Sequence, residues 1–379
     1  MSNNTKITVR AASATYEVEI GSGLLAGVGE RVDALLKGGL SAGKQRVFVV
    51  TSPEIWKLHG ERLASGFPAA PALLSVPAGE QHKRLATVER LAEEMAQHGA
   101  DRDSVLLALG GGVIGDMTGF LAAMYMRGIR YIGVPTTLLA QVDSSLGGKT
   151  GVNLAAGKNL AGAFHHPLAV YADTATLHTL PAAEIRAGLQ ESIKAGIIRD
   201  RALFDFLDEN KAEVLSDGLD SDQAAITHVV AASVQIKANV VGADEKESGE
   251  RMLLNLGHTL GHAIEAATEY KQLLHGQAVA WGMIAAIGIA QRRGMVSSSE
   301  AERMNRVIRA YGPLRGFSAD AAELVALTAK DKKNRSGARS FVLPIGIGDA
   351  TVVRDVSEAE LLAAAEEMMA EVNNLQVLA

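Results

Sequence analysis

Two imidazoles stand four residues apart in an otherwise apolar run, Asn255-Leu256-Gly257-His258-Thr259-Leu260-Gly261-His262-Ala263-Ile264-Glu265. On a helix that spacing turns both rings to one face, an arrangement that suits a metal ion or an anion. His275, in Leu274-His275-Gly276, and Glu191, in Gln190-Glu191-Ser192-Ile193-Lys194, are near enough in sequence to complete a His/His/Glu set. Zinc with one open coordination position is the natural occupant of such a set. A helical histidine pair on its own is as often surface decoration, so its weight comes from the company it keeps.

That company begins with a glycine turn. An apolar run, Ser104 to Leu109, leads directly into Gly110-Gly111-Gly112-Val113-Ile114-Gly115-Asp116 and then into a helix-like segment. The glycines fit G-x-G-x-x-G between strand and helix. Such a turn lets the backbone approach a pyrophosphate and presents it to N–H groups at a helix start. The plainer reading is a tight strand-to-helix turn. No acidic residue follows about twenty positions on to hold a ribose, as it would in the usual dinucleotide fingerprint. Glu80, in Gly79-Glu80-Gln81-His82-Lys83, is the substitute candidate.

Cations and hydroxyls follow. Thr136 and Thr137, Asp143, the pair Gly147-Gly148 before Lys149, and Gly157-Lys158-Asn159 fall within one short segment. Glycine beside lysine is what a phosphorylated or carboxylated substrate requires, since backbone must come close and a flexible cation must reach the oxygens. The spacing is not that of a Walker loop. Lys194 lies one turn after Glu191, and Lys237 sits in the apolar stretch Val234-Gln235-Ile236-Lys237, where a buried cation is costly unless paired. Arg251 precedes Asn255 by four residues, which on an α-helix places both on one face. The run Lys330-Asp331-Lys332-Lys333-Asn334, taken alone, reads as a solvated face. Together these residues point to redox chemistry on a polyanionic, polyhydroxylated substrate.

The elements that must position them are legible from pattern. With 379 residues and 47% hydrophobic content the chain can bury a large core, and two domains are expected. Residues 6–20 alternate like strands; Gln45 to Val50, Ser104 to Leu109 and Tyr131 to Val134 read as buried strands, with Leu85 to His98 as an amphipathic helix. This is the βαβ rhythm of an open parallel sheet. After Pro181 the period becomes helical, with capping signals at Pro181-Ala182-Ala183-Glu184 and Ser297-Ser298-Ser299-Glu300. Only Arg339 to Pro344 and Ala350 to Arg354 look like late strands. The expected fold is an α/β dinucleotide-binding domain over residues 1–180 and a mainly α-helical metal- and substrate-binding domain over 181–379. A net charge of −6 argues against nucleic-acid or anionic-membrane partners, and the absence of cysteine leaves imidazole and carboxylate as the only metal ligands. The first residues lack a signal-peptide core, and the longest apolar run, near Ala278 to Ala290, is short for a membrane span, so a cytoplasmic protein is expected.

Nearly the whole chain resembles the 3-dehydroquinate synthases, members of the sugar phosphate cyclases. The resemblance is carried by Gly79 to Lys83, Gly110 to Asp116, Tyr125-Met126-Arg127-Gly128, Pro135-Thr136-Thr137, Asp143 to Lys149, Lys158-Asn159, Glu191 to Lys194, Asn255 to His262 and Leu274-His275-Gly276. It implies an active site in the cleft between the two domains and makes Glu191, His258 and His275 the ligands of zinc or cobalt, leaving His262 for the substrate side and for proton traffic. By the same resemblance NAD is held by Glu80 and Lys83, by Gly112, Val113, Ile114, Gly115 and Asp116, by Thr136, Thr137, Lys149 and Lys158, and by the turn Thr176-Leu177-His178-Thr179. Lys149, Asn159 and Lys333 are implied at the phosphate, with Arg127 reaching across from a second subunit of a homodimer; Lys237, Arg251 and Asn255, beside Lys194 and Asp143, are implied at the carboxylate and ring hydroxyls. Ser52 and Glu54 stand where such enzymes often carry Asp or Asn.

The activity implied is that of a carbon–oxygen lyase of the shikimate pathway, leading to chorismate and aromatic amino acids. It converts 3-deoxy-D-arabino-heptulosonate 7-phosphate to 3-dehydroquinate and phosphate through transient oxidation by NAD, phosphate elimination, re-reduction and intramolecular aldol closure. The neighbouring readings are another sugar phosphate cyclase and a metal-dependent alcohol or glycerol dehydrogenase. The grouping of Arg251, Asn255 and Lys237 favours a carboxylated substrate over the first, and the density of lysines favours a phosphate over the second.

Overall fold

The computed structural model describes residues 4–43, 46–216, 223–329 and 340–377. Its contacts divide the chain into two compact units, Met1–Pro181 with Gly218–Glu245, and Ala182–Asp217 with Lys246–Ala379.

The first unit is built on a seven-stranded sheet. Its strands are β1 (Thr5–Arg10), β2 (Thr15–Gly21), β3 (Val47–Thr51), β4 (Ala72–Ser75), β5 (Val105–Gly110), β6 (Arg130–Pro135) and, after the hairpin β7 (Lys149–Leu154) and β8 (Gly157–Phe164), β9 (Ala169–Asp173). The order is β1-β2-β9-β6-β5-β3-β4, parallel except for β1 against β2. The sheet is thus mixed rather than purely parallel: the few residues between Arg10 and Thr15 suffice for a hairpin and are far too few for a crossover. Every residue of β3, β5 and β9 is buried, the continuous apolar run expected of strands covered on both faces. Helices α1 (Val28–Leu35), α2 (Pro53–Ala64), α3 (Leu85–Gln97) and α4 (Gly112–Met124) cover the sheet. The chain leaves β3 towards β4 and leaves β5 in the opposite direction, towards β6, so the glycine turn after β5 lies at the switch point where such sheets bind ligands.

The second unit opens with α5 (Ala182–Arg199), α6 (Arg201–Glu209) and α7 (Lys211–Val214). The chain then returns to the first unit for α8 (Ala224–Ala243), so a helical domain running unbroken over 181–379 is not what forms. The reason is apolar surface: Ile226, Val229, Val230, Val234, Ile236, Val240 and Val241 are buried, and the helix packs on β1 and β2. Among the described residues α8 is the one helix long and apolar enough to span a bilayer, and 56% of its most apolar stretch is buried in the protein. The second unit continues with α9 (His258–Ala267), α10 (His275–Arg292), α11 (Ser298–Ala310), α12 (Ala321–Thr328), the hairpin β10 (Phe341–Gly346) and β11 (Asp349–Val353), and α13 (Glu358–Val377). Ser297 and Glu300 form the expected capping box at α11.

Candidate active site

In the first unit the glycine turn opens α4. Gly112 is its first residue, and a pocket beside it is lined by Gly110, Gly112, Gly115, Asp116, Ser144, Gly148 and Lys149 among others. A Cβ on Gly112 would lie 2.9 Å from Ser144 Oγ, whereas one on Gly115 would meet nothing within 4 Å among the described residues. The protein's own packing therefore leaves open the space that a molecule lying against the turn would fill, which fits a dinucleotide pyrophosphate at a helix N-terminus. Thr136 donates its backbone N–H to Gly110 O (3.0 Å), and Thr137 Oγ1 accepts from Ala140 N (3.2 Å), so both threonines stand beside the turn. Val113 is half-buried and Ile114 buried.

One hydrogen-bond network joins three of the sequence motifs. Lys83, only 4% exposed, donates from Nζ to Asp116 Oδ2 (2.5 Å) and to Asn159 Oδ1 (2.6 Å). Asn159, at φ +51°, donates its N–H to Asn153 Oδ1 (2.9 Å), and Asn153 Nδ2 donates to Glu80 Oε1 (2.8 Å). Burial pushes the Asp116 carboxyl up, with the Lys83 ammonium working against it. Asn153 carries no role in the sequence reading; inside a strand its side chain gave no sign that it would bridge Glu80 to Asn159. Lys149 is exposed at the start of β7, and Lys158 is half-buried in β8. Lys237 pairs through Nζ with Asp143 Oδ1 at 2.5 Å, which answers the cost of placing a cation in an apolar helix.

The turn Thr176-Leu177-His178-Thr179 is a 3₁₀ segment after β9. Thr176 and Leu177 are buried, Thr179 Oγ1 bonds His59 Nε2 (3.0 Å), and His178 Nε2 lies 2.8 Å from Gln223 Nε2. These side chains are largely spent on the unit's own structure. Arg127 stands exposed on a turn where Met126, Arg127 and Gly128 all have positive φ. Lys333 lies outside the described residues.

In the second unit the ligand atoms of Glu191, His258 and His275 lie within 4.8 Å of one another, one each from α5, α9 and α10. His258 Nε2 is 3.8 Å and His275 Nε2 3.7 Å from Glu191 Oε1. That oxygen is buried and has no hydrogen-bond partner among the described residues. Glu191 Oε2 is occupied, accepting from Lys194 Nζ. His258 Nδ1 faces Leu256 O at 3.2 Å, and His275 Nδ1 faces Glu265 Oε1 at 3.4 Å. Each group thus has its outer atom engaged and its inner atom turned to one point, the disposition that a tetrahedral metal with a fourth open position requires. Desolvation opposes charge on His275, but the hydrogen bond to Glu265 and the charges of Glu265 and Glu191 leave its pKa above the usual range.

His262, which four-residue spacing pairs with His258, is outside this group; its ring meets His258 edge-on at 5.3 Å between centroids. Arg251 and Asn255 do not share an α-helical face, because Glu250–Asn255 is a 3₁₀ helix with three residues per turn. Arg251 is 2% exposed, and Asn255 Nδ2 donates to Glu247 Oε1 (2.8 Å), a partner that sequence reasoning missed.

Comparison with known proteins places these features in a family. Residues 73–187 match the 3-dehydroquinate synthase N-terminal family and residues 188–334 the 3-dehydroquinate synthase C-terminal family. A 3-dehydroquinate synthase of Solibacter usitatus is 53% identical over 83% of this chain and 87% of its own length; one of Koribacter versatilis is 44% identical over 96% and 98%. Among solved structures, the 2-epi-5-epi-valiolone synthase ValA of Streptomyces hygroscopicus subsp. jinggangensis, with NAD+ and Zn2+ bound, is similar at a TM-score of 0.80 and 31% identity, over 86% of this chain and 91% of that one. A chain matched this far along its length belongs to the 3-dehydroquinate synthase family.

Proposed function

We propose that this protein is a 3-dehydroquinate synthase, a lyase that converts 3-deoxy-D-arabino-heptulosonate 7-phosphate to 3-dehydroquinate and inorganic phosphate. The observation that carries the reading is the 44% identity to such an enzyme over 96% of the chain; the convergence of Glu191, His258 and His275 supports it independently. The Gly110–Asp116 turn would hold NAD, which would supply a hydride acceptor and donor for a substrate carbinol carbon and so be required without being consumed. Glu191, His258 and His275 would hold zinc or cobalt, which would supply a Lewis acid for the hydroxyl oxygen on that carbon.

The chain's own residues do the rest. Lys149 offers an exposed ammonium to the substrate phosphate, and Asn159, held by Lys83 and Asn153, is a second group of the same unit for it. Lys237, paired with Asp143, and the buried Arg251 hold the carboxylate and ring hydroxyls, with Arg251 suited to a bidentate grip. Lys194 serves Glu191 directly, keeping its Oε2 occupied and its Oε1 available. His262 takes up and returns, at a ring nitrogen, the proton displaced during elimination. Fixing a flexible substrate through several steps is worth more than any single contact. We also read the protein as a cytoplasmic homodimer in which the exposed Arg127 serves the site of a second copy.

The test is phosphate release from 3-deoxy-D-arabino-heptulosonate 7-phosphate by metal-loaded protein with substoichiometric NAD. Phosphate and dehydroquinate without net NADH is the expected result. Accumulating NADH would mean a dehydrogenase, and turnover of a sugar phosphate lacking the carboxylate in preference would mean another cyclase.

A further inference from the structure

The ion that the proposed function places on Glu191, His258 and His275 needs those groups held in one orientation, and the three are held in different ways. His258 uses a backbone carbonyl, Leu256 O, at 3.2 Å. Glu191 uses the Lys194 ammonium. His275 uses a second carboxylate: Glu265 Oε1 lies 3.4 Å from its Nδ1. We propose that Glu265 is a positioning residue for the metal site, fixing the ring orientation and tautomer of His275.

The argument starts from donors and acceptors. A carboxylate can only accept, so the hydrogen of a neutral His275 ring stands on Nδ1, facing Glu265. The lone pair then stands on Nε2, the atom 3.7 Å from Glu191 Oε1. Without an acceptor at Nδ1 the ring can flip or change tautomer, and a protonated Nε2 cannot ligate. Backbone packing fixes the start of α10 but not the ring: a Cβ at Gly276 would come within 1.9 Å of Ala187 O, so α10 is pressed onto α5 at that point. The ring's rotation about its own bonds is left to the side chains around it, the rings of His258 and His262 and the carboxylates of Glu191 and Glu265, of which Glu265 is the acceptor that faces Nδ1.

Glu265 is well placed for the task. It is 6% exposed, a costly position for a carboxylate unless its charge is used. It lies seven residues after His258, two turns along α9, so the helix that supplies one ligand also orients the next. His262 lies on the same face between them. A carboxylate behind a metal-bound imidazole also raises the ring's basicity, and partners of this kind typically change metal affinity 10- to 100-fold.

The inference rests on the metal reading, and the experiment separates the two. Metal-free wild type, Glu265→Leu and Glu265→Gln are titrated with cobalt(II), with affinity from chelator competition and geometry from the visible absorption bands. Leu is expected to weaken binding by roughly 10- to 100-fold and to shift the bands. Gln, whose amide oxygen accepts the same hydrogen bond, is expected to stay within a few-fold of wild type with unshifted bands. Leu binding cobalt like wild type, or Gln as weak as Leu, would overturn the inference. If Leu does not fold by circular dichroism, Glu265→Asp takes its place: one methylene shorter, it should lose affinity that Gln keeps, and equal affinity of Asp and Gln overturns the idea. Wild type that takes up no cobalt would overturn the metal reading itself, and this inference with it.

Discussion

Lys83 shows how much a single side chain can hold in place. It neutralises Asp116 at the start of α4 and fixes Asn159 in β8, so two motifs distant in sequence depend on one ammonium. Lys83→Met leaves Asp116 and Asn159 Oδ1 without their donor. The expected cost is about 2 kcal/mol, under the range for fully buried pairs because a fifth of the Asp116 side chain stays exposed (21%). A urea midpoint unchanged from wild type would contradict it. Lys149, being exposed, should behave differently: Lys149→Ala should leave the midpoint alone and lower phosphate release tenfold to a hundredfold, the worth of about 1.5–3 kcal/mol of charged hydrogen bonding. At this scale the sequence was legible where a motif was local, as in the glycine turn that opens α4. It misled where partners were chosen by tertiary packing: His258 and His262 look paired by spacing, yet the atom facing His258 Nε2 comes from Glu191 on another helix. Glu247 and Asn153 were invisible for the same reason.

Elements were legible in proportion to their periodicity. β3, β5 and β6 are unbroken apolar runs and α3 a clean amphipathic stripe, and each fell within a few residues of its expected place. The hairpin β7–β8 is absent from the strands expected from the sequence. Its strands are rich in glycine and polar residues, and the glycines are demanded by close approach: a Cβ at Gly162 would sit 2.3 Å from Thr150 O. No hydrophobic pattern marks a strand of that kind. At the start of α13, Ser357 and Glu360 bond reciprocally, and Arg293, just past the end of α10, bonds both Glu360 and Asp355. The Arg293 guanidinium and the Ser357 donors hold the Glu360 carboxyl down to about 2. With a folded pKa below the unfolded value of 4.5, this group's contribution is fully present above about pH 4.5 and is lost as pH falls towards 2. Solvent screening keeps it below about 1 kcal/mol. Glu360→Gln should lower the thermal midpoint slightly at pH 7 and make no difference at pH 2; an equal loss at both would show that the charge is not what counts.

For the whole molecule the main finding is that the units are not contiguous in sequence. Gly218–Glu245 returns to the first unit, and α8 covers β1 and β2. A fragment of residues 1–181 should therefore expose the apolar surface that α8 covers and aggregate, whereas the same fragment with residues 218–245 appended through a flexible linker should be soluble; light scattering decides it. The change of period after Pro181 located the first crossing, but nothing local distinguishes α8 from the helices of the second unit, because which apolar face meets which is settled only in the folded chain. Metal loading should act on the second unit: an ion present at a hundred times its dissociation constant adds about 2.7 kcal/mol, seen as a chelator-reversible rise in the melting temperature that Glu191→Ala abolishes.

The origin of the three ligands in three helices also bears on time. α5, α9 and α10 give one proposed ligand each, so a chain whose helices have formed but not docked has at most a single one at any point. Helices form within about a microsecond, while docking of larger pieces takes milliseconds or longer. The colour of cobalt would therefore stay dark through the first process and appear with the second. In a chain with two tryptophans, a visible chromophore would act as an optical clock for one assembly event that fluorescence could not isolate.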